Sequence, residues 1–269
     1  MIIKYSRKLK FFYRLLSLIP RIHIFYKISL WYIRHFFGFN YGLDIINSEF
    51  NLLSKVCKKK NALIFDVGGN HGQWSLMVLS KFPTARIHMF EPSSKICNQA
   101  KKKLNDFDAK INNFALSNEE GERKFYEHKL SELSSFHEND DKEKAIPTLV
   151  SITTIDSYCN SNDIDNIDFL KIDAEGHDFF VLEGAKNMLE KHQINYAQFE
   201  YGPSNIFSRI FLKDILKFMQ AKGYRIFRVY PYCIREVKEY SLELENFIPV
   251  NYIAVAPNQN ENIKDYIQS

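Results

Sequence analysis

The chain has 269 residues, 45% hydrophobic and 25% charged, enough apolar material for one generous domain with an appendage and too much for a disordered or fibrous class. The net charge of +4 is unevenly spread: residues 1–43 hold eight Lys or Arg and no Asp or Glu, so subtracting +8 leaves −4 on residues 44–269. Basic character confined to one end argues against a chain-wide nucleic-acid footprint and points to an anionic surface met by that end.

Residues 1–43 read as a basic amphipathic helical extension. Tyr5, Leu9, Phe12, Tyr13, Leu16 and Ile19 recur at helical spacing, with Lys4, Arg7, Lys8, Lys10 and Arg14 mainly on the other side. Pro20 interrupts this pattern, and a second aromatic stretch over 22–39 carries Trp31, Tyr32, Phe36 and Phe37. Arg14, Arg21, Lys27 and Arg34 break every apolar run before the ~18 residues that a bilayer span needs. Leu15–Ile19 is also too short for a secretory core, so neither a transmembrane helix nor a signal peptide is expected. Two readings stand. The extension packs its aromatic face on the following domain, or residues 1–39 lie on an anionic membrane with the aromatics at the acyl boundary. The second makes the protein peripheral on the inner face of the membrane. A basic arm for nucleic acid is disfavoured, because the aromatics are sided as on a helix and not as on an RNA-recognition sheet.

Residues 44–269 alternate strand and helix patterns. After a connecting helix near 48–59, strands are expected at 62–67, 86–90, 110–115, 167–172, 194–200, 224–229 and 252–256. Helices are expected at 73–81, 93–104, 177–189 and 207–221. Short apolar strands alternating with amphipathic helices imply an α/β domain with a mostly parallel sheet covered on both faces. Seven strands, the last two without a helix between them, add an antiparallel final hairpin. The charged stretch 119–148, with the acidic run 138–143, reads as a β-hairpin followed by a loop long enough to lid a site, or as a disordered insertion at 139–144.

The sharpest local signal is Asp66-Val67-Gly68-Gly69-Asn70-His71-Gly72, a buried strand running into a glycine-rich turn and then a helix. Such a turn admits a ligand to the backbone, and a helix N-terminus offers unpaired N–H groups. Neither the G-x-G-x-x-G register of a dinucleotide site nor a P-loop ending is present. Nineteen residues after Gly72, the second strand ends in Phe90-Glu91-Pro92, where a carboxylate suits a ribose diol. The fourth strand ends in Lys171-Ile172-Asp173-Ala174-Glu175-Gly176-His177-Asp178. Ligands bind beyond the carboxyl ends of parallel strands, so Asp173, Glu175 and His177 become candidate catalytic residues. Glu200 joins them from the end of the next strand. No Asn/Asp-Pro-Pro-aromatic motif for an exocyclic amine follows, and a carboxylate or imidazole suits removal of a hydroxyl proton. Polar strand ends and helix-capping acids are the plainer alternative, His71 reads as structural, and Asp163-Ile164-Asp165 falls in a turn cluster.

The Asp-x-Gly-x-Asn-x-Gly turn resembles motif I of class I methyltransferases. Together with Phe90-Glu91-Pro92, Ala115-Leu116-Ser117-Asn118 with Gly121, Ser134-Ser135, Thr154-Ile155-Asp156 and Asp173-Ala174-Glu175-Gly176 before Leu182-Glu183-Gly184-Ala185, it is similar to the FkbM family over roughly residues 63–200. The resemblance implies a Rossmann-like fold and S-adenosylmethionine as cofactor, held by Asp66, Gly68, Gly69, Asn70, Gly72, Glu91, Asn113 and Ser135. In it Asp66 orients the methionine end, and Gly68 and Gly72 give the cofactor room. It also implies O-methylation of a small-molecule or glycan acceptor, such as a sugar, a glycolipid or polysaccharide precursor, or a metabolite. Asp156, Asp173, Glu175 and Glu200 are oxygen donors of the kind a divalent metal takes, which leaves a metal open. Other transferases on this fold and a non-catalytic cofactor-binding module are the rivals. Cys57, Cys97, Cys159 and Cys233 form no CxxC pair, consistent with reduced thiols in a cytoplasmic protein.

Overall fold

The computed structural model describes residues 23–36, 43–128, 130–138 and 145–267, and the chain divides into two compact units, 1–39 and 40–269. The helical face expected over Tyr5–Ile19 and the acidic residues 139–144 lie outside the described residues. In the first unit, helix α1 (His23–Phe36) exposes Ile24, Phe25, Tyr26, Ile28, Trp31 and Tyr32, each between 54% and 64% accessible. Among the described residues, no helix is long and apolar enough to cross a membrane.

The second unit is a three-layer α/β fold. Its helices and strands run α2 (Leu43–Val56), β1 (Leu63–Val67), α3 (Gln73–Lys81), β2 (Arg86–Phe90), α4 (Ser94–Lys103), β3 (Ala109–Asn112), β4 (Ala115–Leu116), β5 (Gly121–His128), β6 (Ala145–Thr153), α5 (Ile155–Ser161), β7 (Phe169–Ile172), α6 (Asp178–Glu183), α7 (Lys186–Glu190), β8 (Tyr196–Tyr201), α8 (Ser204–Ser208), α9 (Leu212–Gln220), β9 (Arg225–Val229), β10 (Ile234–Glu236) and β11 (Val250–Val255). The main sheet has the order β10-β9-β11-β8-β7-β1-β2-β3. β8, β7, β1, β2 and β3 pair in parallel. This is the mostly parallel α/β class expected from the alternating pattern, in the Rossmann-like form that the family resemblance implies.

Strand periodicity divides the core between the two faces. Leu63, Phe65, Val67, Ile172 and Phe199 face one way and pack with α5, α6, α7 and α9. Ile64, Ile87, Met89 and Phe169 face the other way, under α2, α3 and α4. At about 25 cal/mol per Å² of apolar surface, the two layers supply most of what holds the sheet.

Three expectations need correction. The main sheet has eight strands, because the short β10 adds to its edge. The last two expected strands, β9 and β11, pair antiparallel as read, and β11 also pairs antiparallel with β8, so it stands between them. The helices expected over 177–189 and 207–221 are each broken, the second at Arg209, whose φ of 59° no helix continues. The stretch expected at 110–115 splits into β3 and β4, and β4 leaves the main sheet. It joins β6 and β5 in a separate three-stranded sheet, in which β5 and β6 pair antiparallel from Gly121↔Ile152 to His128↔Ala145. The hairpin read from 119–148 is therefore present, but its second arm lies after the acidic stretch 138–143, not before it.

Candidate active site

A cavity opens beyond the carboxyl ends of β1, β2 and β7, walled on its far side by the small sheet. Gly68, Asn70, Glu91, Asp173 and Glu175 line it together with the apolar Phe90, Ile96, Leu116, Phe125 and Phe136. Polar groups on one rim and an apolar wall suit a ligand with a polar chain and a flat ring.

The glycine turn is built by the strands beside it. Gly68 has φ of +75°, and a Cβ there would fall 1.9 Å from the Asp173 carbonyl oxygen, so only glycine lets β1 and β7 end side by side. The amides of Gly68 and Gly69 both donate to the Phe90 carbonyl, that of Gly72 to the Gly69 carbonyl, and that of Asn70 to Glu91 Oε2. These four N–H groups are thus spent within the protein. Gly69 packs on the Met89 side chain, and Gly72 on Leu104 and Ala100. Both are buried beneath the turn and do not line the cavity. What the turn offers instead is the Asn70 side chain, whose Oδ1 is buried without a hydrogen-bond partner.

Glu91 latches this turn to the start of α4. Its Oε1 accepts from the Ser93 amide at 2.8 Å and its Oε2 from the Asn70 amide at 3.0 Å. Burial pushes the carboxyl up to about 7, against the pull of those two hydrogen bonds. Asn113, expected beside the cofactor, is exposed at the bend after β3. Its amide donates to the carbonyls of Glu91 and Pro92, so it fixes the latch from outside.

At the end of β7, Glu175 (φ 49°) and Gly176 (φ 86°) turn the chain sharply. The turn leaves Glu175 on the cavity, its Oε2 accepting from Ser204 Oγ at 2.9 Å. Burial first, then the neighbouring Asp173 carboxylate, raises Glu175 to about 8. The same turn carries His177 under the rim, which corrects the expectation that it stands beside the acids. Its ring is fully buried between Phe136 and Phe180, with Nε2 3.0 Å from Ser117 Oγ and Nδ1 3.4 Å from His137 Nε2. Burial holds it well below the usual histidine range. Ser135 also lies off the cavity, its Oγ donating to the Glu175 carbonyl, whereas Ser131 and Ser134 line it.

Strand register explains the charges. Asp66 stands opposite Lys171, and Lys171 opposite Gln198, so all three share the sheet face that α2 covers. Glu49 of α2 caps the row, accepting from Gln198 and Asn251 at 3.0 and 2.9 Å. Burial raises it to about 7. Asp66 is fully buried, with Ser75 Oγ donating to Oδ2 at 2.6 Å. Two residues further along the same faces come Asp173 and Glu200. Glu200 is pushed well above the carboxylate range by burial, then by Asp173, Glu175 and Asp178. Asp178 accepts from the Glu200 amide.

Sequence reasoning assigned no role to Lys171 or Glu49. A lysine inside the otherwise apolar strand Phe169–Ile172 was a signal for the first. Glu49, on a helix 149 positions from its partner Gln198, left none. Of the acids weighed for a metal, Asp156 lies elsewhere, capping α7 through the amides of Asn187 and Met188. Among the described residues, no group of three or more His, Cys, Asp or Glu could hold a metal ion.

Comparison with known proteins gives the family. Residues 66–226 match the family model of the methyltransferase FkbM domain, and none of the curated proteins matches the sequence. Several solved structures resemble the chain. One is a TehB-like SAM-dependent methyltransferase from Corynebacterium glutamicum, with 12% identity, 88% of this chain and 100% of the other covered, and a TM-score of 0.40. Another is a SAM-dependent methyltransferase from Aquifex aeolicus, with 12% identity, 80% and 90% covered, and a TM-score of 0.41. A third is a putative rRNA methylase from Clostridium thermocellum, with 9% identity, 77% and 95% covered, and a TM-score of 0.43. The family match spans 161 of the 269 residues and takes in the glycine turn, Glu91 and the acids of β7 and β8, so the chain belongs to the FkbM family of S-adenosylmethionine-dependent methyltransferases.

Proposed function

We propose that the cavity binds S-adenosylmethionine against the glycine turn and Glu91, and that Asp173 and Glu175 present an acceptor hydroxyl to it. The observation that carries this reading is the meeting of the two rims in one cavity: Asn70 and Glu91 on one side, Asp173 and Glu175 on the other. The residues present fit the cofactor. The unpartnered Asn70 Oδ1 accepts from an amine or hydroxyl, and the carboxylates favour a cation. Once bound, the cofactor supplies a methyl group on an electron-poor sulfur.

The protein's part is then proton transfer and orientation. An acceptor hydroxyl that takes up that methyl group would have to lose its proton as it does so. Glu175, with its raised proton affinity, would take that proton, while Asp173 would accept from a second hydroxyl of the acceptor and so hold it in line. The acid-lined rim suits an uncharged, hydroxyl-rich acceptor such as a sugar of a glycan or glycolipid precursor, and disfavours an anionic one. His177 supports the turn from behind. The test is transfer of labelled methyl from S-adenosylmethionine to a panel of neutral and acidic sugars and glycolipids. Labelling of neutral acceptors supports the reading. Labelling confined to acidic acceptors, or none despite cofactor binding, contradicts it.

We further propose that residues 1–39 hold the protein against anionic lipid. Six large apolar side chains lie exposed on α1, within a segment that carries eight basic residues and no acidic ones. That pairing suits the boundary between headgroups and acyl chains.

A further inference from the structure

Lys171 is a buried cation in the middle of the sheet, its side chain only 5% accessible. Its ammonium donates to Asp173 Oδ2 at 3.1 Å and stands 3.7 Å from Asp66 Oδ1, an oxygen with no hydrogen-bond partner of its own. It also lies 5.5 Å from the centre of the Trp74 ring, on the helix that begins at the glycine turn. Register makes this arrangement compulsory, since Asp66 and Lys171 are direct neighbours on β1 and β7 and Asp173 lies two residues further along the same face.

An ammonium taken out of water costs several kcal/mol unless partners return it. Here the partners are divided. Asp66 lies under the turn that faces the cofactor, whereas Asp173 is 43% accessible and lines the cavity on the acceptor side. One cation therefore serves both halves of the site. Without it, Asp66 and Asp173 would face one another uncompensated, and Asp173, the more exposed, would turn toward solvent.

We propose that Lys171 is a positioning residue, the shared counter-ion that ties Asp173 to Asp66 and limits the negative charge facing the methyl donor. The proposal rests on the cofactor reading above. The charge on sulfur is lost when the methyl leaves, so the donor is a cation there and the product S-adenosylhomocysteine is not. A site made more negative gains affinity for the donor over the product. A site merely deformed loses both.

Calorimetric titration of S-adenosylmethionine and S-adenosylhomocysteine into the full-length wild type, Lys171→Met and Lys171→Arg separates these cases. Lys171→Met should raise the donor-to-product affinity ratio by roughly 3- to 10-fold, the size expected for one charge acting through partly solvated protein. Lys171→Arg, which keeps the charge, should leave the ratio near wild type. An unchanged ratio in a folded Lys171→Met that binds both ligands overturns the proposal. A wild type that binds neither ligand overturns the cofactor reading instead and leaves the geometry of Lys171 untouched. Should Lys171→Met fail to fold, the wild type still decides through its lysine ¹⁵Nζ signals, with Lys171 assigned by its loss in Lys171→Arg. Asp173 and Asp66 raise the proton affinity of Lys171 against the opposing effect of burial, so it should stay charged at about pH 11, where exposed lysines titrate. Deprotonation together with the other lysines overturns the proposal.

Discussion

Glu91 spends both carboxylate oxygens on backbone amides, one in the glycine turn and one at the start of α4, so its truncation should loosen the turn as well as remove the cofactor contact proposed for it. Glu91→Ala should weaken S-adenosylmethionine binding by about 1–3 kcal/mol, the scale of charge-assisted hydrogen bonds, read by calorimetry on protein whose circular dichroism is unchanged. For the transfer itself, Asp173→Asn, which removes the charge that orients the acceptor, should lower turnover by ~100-fold. Turnover close to wild type would remove Asp173 from the mechanism. Because Glu175 is raised to about 8, the wild-type rate should climb with pH through that region as the free carboxylate becomes available. Glu175→Gln should abolish the climb, and a climb that persists would assign the proton to another group. At this scale the sequence was legible where consecutive residues build the cavity rim, as at Gly68 and Asn70 and at Asp173–Glu175. It was misleading at His177, because two successive positive φ angles turn the chain away from the direction that adjacency suggests. It was silent at Glu49, which reaches the site only through folding.

Among the elements, the small sheet β4-β6-β5 is the least legible part of the fold. Its pairing depends on β6, which lies beyond a charged loop without periodicity, and its own apolar cluster is only Ala115, Phe125, Phe136, Val150 and Ile152. It meets the main domain partly through polar contacts, Ser135 to the Glu175 carbonyl and His137 to His177. Burial lowers both histidines, His137 to about 4 and His177 well below the usual range. The unfolded chain therefore binds protons more readily, so this contribution is complete above about pH 6.5 and is lost as pH falls toward 4. The stability gap between wild type and His137→Gln, measured by chemical unfolding, should shrink over that interval, and a gap that widens would refute the assignment. The extension makes its own prediction. The full chain should co-sediment with anionic but not neutral vesicles, less so as salt shortens the Debye length, and deletion of residues 1–39 should abolish binding. Equal binding by the truncated protein would make the extension a packing element.

For the whole molecule, the parallel sheet and its two covered faces followed from the alternation of strand and helix patterns, because burial on both faces leaves an apolar strand little else to do. The insertion of β11 between β8 and β9 did not follow, since strand order is set by packing between distant segments and not by local periodicity. The same sheet gathers carboxylates at one end. Glu49, Glu91 and Asp178 are each raised by burial to about 7. The folded state thus holds protons that the unfolded chain gives up near pH 4, so this part of the stability is full at low pH and lost as pH rises through about 7. The ligand-free protein should melt at a lower temperature at pH 8.5 than at pH 6, and a cationic ligand should restore more stability at the higher pH. The most direct test of the account is calorimetric titration of S-adenosylmethionine into the intact protein and into Glu91→Ala. Saturable binding of one equivalent is expected, weakened by about 1–3 kcal/mol in the variant, whereas no binding by well-folded wild type, or equal binding by both proteins, would contradict the proposed cofactor site.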